Sequence, residues 1–240
     1  MQVCQNVIST LERMVSKSVE SRWLDRFMRA NTQALEILFD RLNGINTRGV
    51  VTLKDLGVDE EERVHYVPSG WLTLIRLSKI ITFSEQDVFV DFGAGKGRVV
   101  VMAARYFPFK KVIGVEIAPD LSRIAQDNVD KNCGKLKCKS VEVVTNDVLQ
   151  YEIPPDITIA YLYSPFTGSI FREVIDRIGS TLKHRDDRRL WVVLQRPKNS
   201  PSSAIYNANN EVLQNCRWLK QVDEIVGRSS LTTIYQATQA

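Results

Sequence analysis

No stretch of this chain approaches the roughly 20 consecutive apolar residues that cross a bilayer, and its N-terminus lacks the basic segment and apolar run of a secretory leader. A soluble, cytoplasmic protein is the expectation. The four cysteines, Cys4, Cys133, Cys138 and Cys216, include no C-x-x-C pair and frame no small disulfide scaffold, so reduced thiols are expected. No His/Cys/Asp cluster has the spacing of metal ligands, and no Ser/His/Asp arrangement stands at strand ends. Strong charge of one sign is missing too. The formal net charge is +4, and basic residues cluster only in Lys183-His184-Arg185-Asp186-Asp187-Arg188-Arg189, where two aspartates dilute the run. It reads as a solvated turn, and a nucleic-acid partner is not expected. Internal repeats and low-complexity segments are absent.

What is present is enough for one substantial core, since 44% of the 240 residues are hydrophobic. The richest stretch is Val88-Phe89-Val90-Asp91-Phe92-Gly93-Ala94-Gly95-Lys96-Gly97-Arg98. An apolar, β-branched run ends on an aspartate and breaks into three alternate glycines, and Val99 to Ala104 then continue as a helix. A strand, a glycine turn and a helix start present unpaired N–H groups where a ligand meets no Cβ.

Upstream, apolar residues recur at helical intervals from about Val7 to Leu42, which predicts an amphipathic extension in more than one piece. Asp59-Glu60-Glu61-Glu62 reads as a solvated loop, and a helix from Trp71 to Ile81 is expected with Ser69 near its cap. Beyond Asp87 the periods alternate. Strands are expected at Val88–Asp91, Lys111–Val115, Ser140–Val144, Ile157–Leu162 and Arg189–Leu194, with helices at Arg98–Tyr106, Pro119–Asn132 and Ser169–Leu182. Two closing strands, Trp218–Val226 and Leu231–Ala237, flank a four-residue turn and should pair antiparallel. The expected fold is α/β, a doubly wound and mostly parallel sheet. Residues 1–65 form the helical extension and connecting loop, and 66–240 the α/β domain.

The glycine spacing narrows the ligand. A P-loop needs Ser or Thr after Gly-Lys, whereas Lys96 is followed by Gly97; the dinucleotide fingerprint is G-x-G-x-x-G, whereas these glycines alternate. Asp91, two residues before the first glycine, would repel a pyrophosphate and suits an ammonium. Glu116 ends the second strand, where an acid grips ribose hydroxyls, and Asp147 ends the third, where it can accept a hydrogen bond from an adenine amino group.

On Asp91-Phe92-Gly93-Ala94-Gly95-Lys96-Gly97, the chain resembles the class I S-adenosylmethionine-dependent methyltransferases and, more distantly, the seven-strand protein lysine methyltransferases. The resemblance covers about Tyr66 to the C-terminus and implies a seven-stranded sheet in the order 3-2-1-4-5-7-6 with the last strand antiparallel. It implies that Asp91, Gly93, Ala94, Gly95 and Gly97 hold the methionine part of S-adenosylmethionine, Glu116 its ribose, and Asp147 with Val148 its adenine, with no metal. Ser164-Pro165-Phe166, after the fourth strand, looks like a reduced Asn-Pro-Pro-Tyr/Phe motif of nitrogen-methylating enzymes, with Ser for Asn and a single Pro. Tyr66, Ser69 and Trp71 lie in a segment that closes over the cofactor in the lysine enzymes, and His65 is the titratable candidate beside it. The expected acceptor is a protein lysine or a small-molecule amine. A cofactor-binding scaffold without activity is the alternative, and a nicotinamide-dependent oxidoreductase is disfavoured by the glycine spacing. The extension's apolar face is expected to cover the acceptor site or to form a homodimer.

Overall fold

The computed structural model describes residues 32–57, 61–185, 189–198, 203–227 and 229–238. The part of the expected extension before Thr32, with Cys4, lies outside them; helix α1 (Thr32–Asn43) is its described remainder. A short helix α2 (Thr73–Leu77) leads to β1 (Val88–Phe92), followed by α3 (Arg98–Tyr106), β2 (Lys111–Glu116), α4 (Pro119–Asp130), β3 (Val141–Thr145) and β4 (Ile159–Leu162). Helix α5 (Gly168–Ser180), β5 (Trp191–Pro197), α6 (Ser203–Asn215), β6 (Leu219–Val226) and β7 (Ser230–Ala237) complete the order. The seven strands form one sheet ordered β3-β2-β1-β4-β5-β7-β6. Strands β1 to β5 pair in parallel, and β7 is antiparallel to both β5 and β6. This is the expected fold. No helix among the described residues is long and apolar enough to cross a membrane.

Strand alternation decides which side chains meet which layer. Val88, Val90 and Phe92 enter the core on the face covered by α5, with Phe171, Val174 and Ile178. Phe89 joins the opposite layer, with α2 and α3, and Asp91 shares its face by the same alternation. Every residue from Arg98 to Ala104 is buried, as a helix that is apolar all round requires. Its outer side is covered by α1 and the segment before α2: Phe39 stacks on Trp71 with ring centroids 5.4 Å apart, in the same apolar cluster as Val99 to Ala104.

At the head of α3 sits a buried cation. Arg98 is 2% exposed; its Nε donates to Thr47 Oγ1 at 2.7 Å, and one terminal nitrogen donates to the Ser69 carbonyl at 2.8 Å. The other faces Asp40 Oδ1 at 3.4 Å. Asp40 in turn accepts from the Thr47 amide, the Thr47 hydroxyl and the Trp71 indole N–H at 2.9–3.1 Å. Four chain segments meet in this network.

Four expectations need correction. The helix of 71–81 is regular only over Thr73–Leu77: Leu72 caps it without a side-chain bond, and the Ser69 hydroxyl faces Tyr161 Oη at 2.9 Å instead. Tertiary bonds of Ser69 and Trp71 hold the chain that an extra helical turn would use. Second, α6 was not anticipated, because its asparagines are weak helix formers and few apolar residues mark a face; packing creates it, through buried Tyr206 and Leu213 and an Asn209 side-chain bond to the Phe166 carbonyl. Third, Glu62 is not merely part of a solvated loop, as shown below; Asp59 and Glu60 lie outside the described residues. Fourth, in the basic run Arg189 grips the buried Asp87 through Nε and a terminal nitrogen at 2.8 and 2.9 Å, while 186–188 lie outside the described residues.

Asp40→Ala should strip Arg98 of its nearest carboxylate and cost about 3 kcal/mol, the range seen when one partner of a buried pair is removed. Urea unfolding followed by circular dichroism checks this, and an unchanged midpoint would contradict it.

Candidate active site

The carboxyl edge of β1, β2 and β3 carries the three predicted acids. After Asp91 the chain turns back at once: the amides of Gly93 and Ala94 both donate to the Val115 carbonyl at 2.9 Å. Gly93 and Gly95 have φ of 80° and 56°, and their missing Cβ atoms also make room. A Cβ on Gly93 would lie 2.3 Å from Pro165 Cβ, and one on Gly95 would lie 2.2 Å from the Tyr66 ring. Tyr66 donates from its hydroxyl to the Thr47 carbonyl at 2.6 Å. The glycine turn is thus in contact with both candidate acceptor-side elements.

Asp91 is 4% exposed, and its carboxylate has no hydrogen-bond donor among the described residues. Burial first, and the neighbouring Glu116 second, push its pKa well above the usual carboxylate range. Glu116 is also buried; its two oxygens accept from the Gly95 amide at 2.7 Å and the Ala118 amide at 2.9 Å. Burial raises its pKa, and those backbone bonds oppose the rise. Asp147 is half-buried, with Oδ1 accepting from the Leu149 amide at 2.9 Å and Oδ2 from Arg63 at 2.7 Å.

These acids line one cleft of about 840 Å³, its open mouth included, together with Ala94, Val148, Tyr66, Ser69, Pro165 and Phe166. Arg63, His65, Arg98 and Tyr163 line it as well. Ser164 does not; it is buried, with φ of 39°, and its hydroxyl donates to the Gln195 carbonyl at 2.9 Å. Its observed work is to shape the turn that presents Pro165 and Phe166. Tyr163 takes the facing position instead, its phenol pushed up to about 12 chiefly by burial. Strand alternation could have found it: Tyr161 is in register with Asp91, and Tyr163 is two residues further on.

The segment from Glu62 to Val64 closes one side of the cleft. Glu62 caps α5: its carboxylate accepts from the Ser169 amide at 2.9 Å and the Ile170 amide at 3.1 Å, and its carbonyl accepts from the Thr167 amide at 2.7 Å. The Ser169 hydroxyl first, then the Ser169 and Ile170 amides, hold its pKa below the usual carboxylate value. Arg63 forms an isolated β-bridge with Phe166, and the Val64 amide donates to the Pro165 carbonyl at 2.9 Å. No periodicity in the sequence marks Glu62, Arg63 or Arg98 for these places.

The donor set fits S-adenosylmethionine. Asp91 is a buried acid of the kind that could accept from an ammonium group, Glu116 has acceptor capacity for a diol, and Asp147 lines the same cleft beside buried Val148. A nicotinamide enzyme's Tyr-x-x-x-Lys spacing does occur, at Tyr106 and Lys110, yet Tyr106 bonds Asn43 and Lys110 pairs with Asp156, and neither lines the cleft.

Known proteins resemble parts of this sequence and its fold. The family described as Histone methylation protein DOT1 matches residues 71–148. A protein-lysine N-methyltransferase of Saccharolobus islandicus (strain REY15A) is 39% identical over 69 residues, 29% of this chain and 43% of its own length. The H3 lysine-79 specific histone-lysine N-methyltransferase of Drosophila melanogaster is 41% identical over 61 residues, 25% of this chain and 3% of its own length. The chain therefore spans less than half the length of these relatives. Among solved structures, an RNA methyltransferase from Salinibacter ruber in complex with S-adenosyl-L-homocysteine superposes with a TM-score of 0.51 at 20% identity, covering 72% of this chain and 95% of its own. Precorrin 8W decarboxylase of Methanobacterium thermoautotrophicum gives 0.52 at 17% identity, covering 72% and 93%. These two share the fold. The resemblance read from the glycine turn is borne out: the chain has the seven-stranded class I methyltransferase fold, matches the histone methylation protein family over 71–148 and is similar to lysine methyltransferases over 61 to 69 residues.

The raised pKa of Asp91 predicts two opposed effects of one substitution. In the folded protein its stability contribution is complete below the unfolded carboxylate pKa and is lost as pH rises through the higher folded value, so a buried acid at this position destabilises the free protein above the ordinary carboxylate range. Asp91→Asn should raise the melting temperature at pH 7.5 or so while weakening S-adenosylhomocysteine binding more than about tenfold. Wild-type affinity should fall as pH is lowered and Asp91 protonates. Differential scanning fluorimetry and calorimetry measure both; wild-type affinity in the variant would remove Asp91 from the site.

Proposed function

We propose that this chain is an S-adenosylmethionine-dependent methyltransferase that acts on nitrogen, in a protein lysine side chain or a small-molecule amine. The observation that carries this reading is the buried Asp91 carboxylate, without a donor among the described residues, in one cleft with Glu116 and Asp147. When bound, the cofactor supplies a methyl group activated on a positively charged sulfur. Asp91 accepts hydrogen bonds from its ammonium group, Glu116 from its ribose hydroxyls, and Asp147 from its adenine amino group, with Val148 against the base. Transfer is an in-line displacement at carbon, so placement and exclusion of water do most of the work. Pro165 and Phe166, on the turn set by Ser164, and Tyr66, on the glycine turn, supply the walls.

The acceptor must present a neutral nitrogen lone pair. His65, exposed and at the cleft, is the titratable group placed to take up the proton from an amine that arrives charged. The lysine-methylating relatives favour a lysine over a metabolite. Of the predicted cofactor residues, the three acids, Gly93, Ala94, Val148 and Ser69 line the cleft, whereas Gly95 packs on Tyr66 and Gly97 on Ala125; a binding scaffold that retains the cofactor site is the second reading, and methyl transfer in the labelling experiment separates the two.

Titration with S-adenosylhomocysteine, NAD and ATP should show binding of the first alone. Incubation with radiolabelled cofactor and cell extract should then place label on protein or small amines. NAD binding without S-adenosylhomocysteine binding would refute the methyltransferase reading, and label confined to nucleic acid would refute the acceptor assignment.

A further inference from the structure

Arg63 touches two parts of the cleft that the proposed reaction uses at different moments. Its backbone bridges to Phe166 on the acceptor-side loop, and its guanidinium holds the adenine-end acid Asp147 at 2.7 Å. Its neighbours are fastened to the same loop, Glu62 through the first amides of α5 and Val64 through the Pro165 carbonyl. The ion pair is largely shielded, with 16% and 23% of the two side chains exposed, so it is less screened than a surface pair.

The pair also leaves Asp147 able to bind. Each carboxylate oxygen has room for a second donor, and Oδ1 and Oδ2 have one protein donor each, Leu149 N–H and Arg63. The two fixed bonds hold the carboxylate plane in one orientation, so an adenine amino group meets a prearranged acceptor. Holding Asp147 fast also holds Arg63, and with it the strand-like contact to Phe166.

We infer that Arg63 is a positioning residue that sets Asp147 for the adenine and couples occupation of that end of the cleft to order in 164–170, the acceptor-side loop and the first residues of α5. The inference rests on the reading of the cleft as an S-adenosylmethionine site. Coupling of this kind is reciprocal: whatever orders the loop tightens adenine binding, and adenine binding orders the loop. A methyl acceptor would then find its side of the cleft formed only when cofactor is in place.

The test uses the full chain with S-adenosylhomocysteine as probe, in wild type, Arg63→Ala, Arg63→Lys, Asp147→Asn and the Arg63→Ala/Asp147→Asn double variant. Calorimetry should show affinity about tenfold weaker for Arg63→Ala, in the range of ordinary site coupling, partly restored in Arg63→Lys. In the double variant the second change should add little to the first, because both remove one device. Hydrogen exchange in wild type should slow on binding at both 93–97 and 164–170, and in Arg63→Ala at 93–97 alone. Should Arg63→Ala fail to fold, Asp147→Asn carries the same exchange test. Unchanged affinity with full protection of 164–170, or additive losses in the double variant, overturns the inference and leaves the cofactor site standing. Failure of the wild type to bind the probe overturns both.

Discussion

The guanidinium of Arg98, 2% exposed, would be costly to bury alone, and the fold around the cleft is arranged to give it partners. Asp40 comes from α1, Thr47 from the loop after it, the Ser69 carbonyl and the Trp71 ring from the segment before α2. Each of these would otherwise be a separate surface element. Because Arg98 is the first residue of the helix that follows the glycine turn, the same bonds fix where that turn stands relative to Tyr66 and Ser69. Helix α1 and its loop are therefore part of what places the walls of the cleft.

Against that satisfied charge stands an unsatisfied one. Asp91 is as buried as Arg98's partners and lacks a donor among the described residues, and the neighbouring Glu116 adds to the rise in pKa that its burial causes. Such a group lowers the stability of the free state, and in the proposed function that cost is offset by its grip on the cofactor's ammonium group. Glu116 illustrates the intermediate case, buried but held by backbone amides, among them those of Gly95 and Ala118. Asp147 is the most exposed of the three and is the one held by a side chain, Arg63, as well as by a backbone amide.

The sheet, its order and the three acids were legible because each depends on local pattern: apolar runs of strand length, alternate glycines, and an acid after each of three strands. The acceptor side was only half legible. Pro165 and Phe166 line the cleft as expected, but Ser164 turns its hydroxyl to Gln195, since a left-handed φ at that position aims it away and leaves Tyr163 facing in. Glu62, Arg63 and Arg98 act across 84 residues or more, or between layers, and nothing in a linear period encodes such meetings. Helix α6 was missed for a related reason: its stability comes from what Tyr206, Asn209 and Leu213 touch rather than from its own propensity.

The central claim is that Asp91, Glu116 and Asp147 form one S-adenosylmethionine site. A crystal structure of the chain with S-adenosylhomocysteine tests it most directly. The account predicts the ligand ammonium at about 3 Å from Asp91, the ribose diol on Glu116, and the adenine amino group on Asp147 with Arg63 still in place. A ligand bound elsewhere, or lying in the cleft with Asp91 facing only apolar atoms, would contradict it.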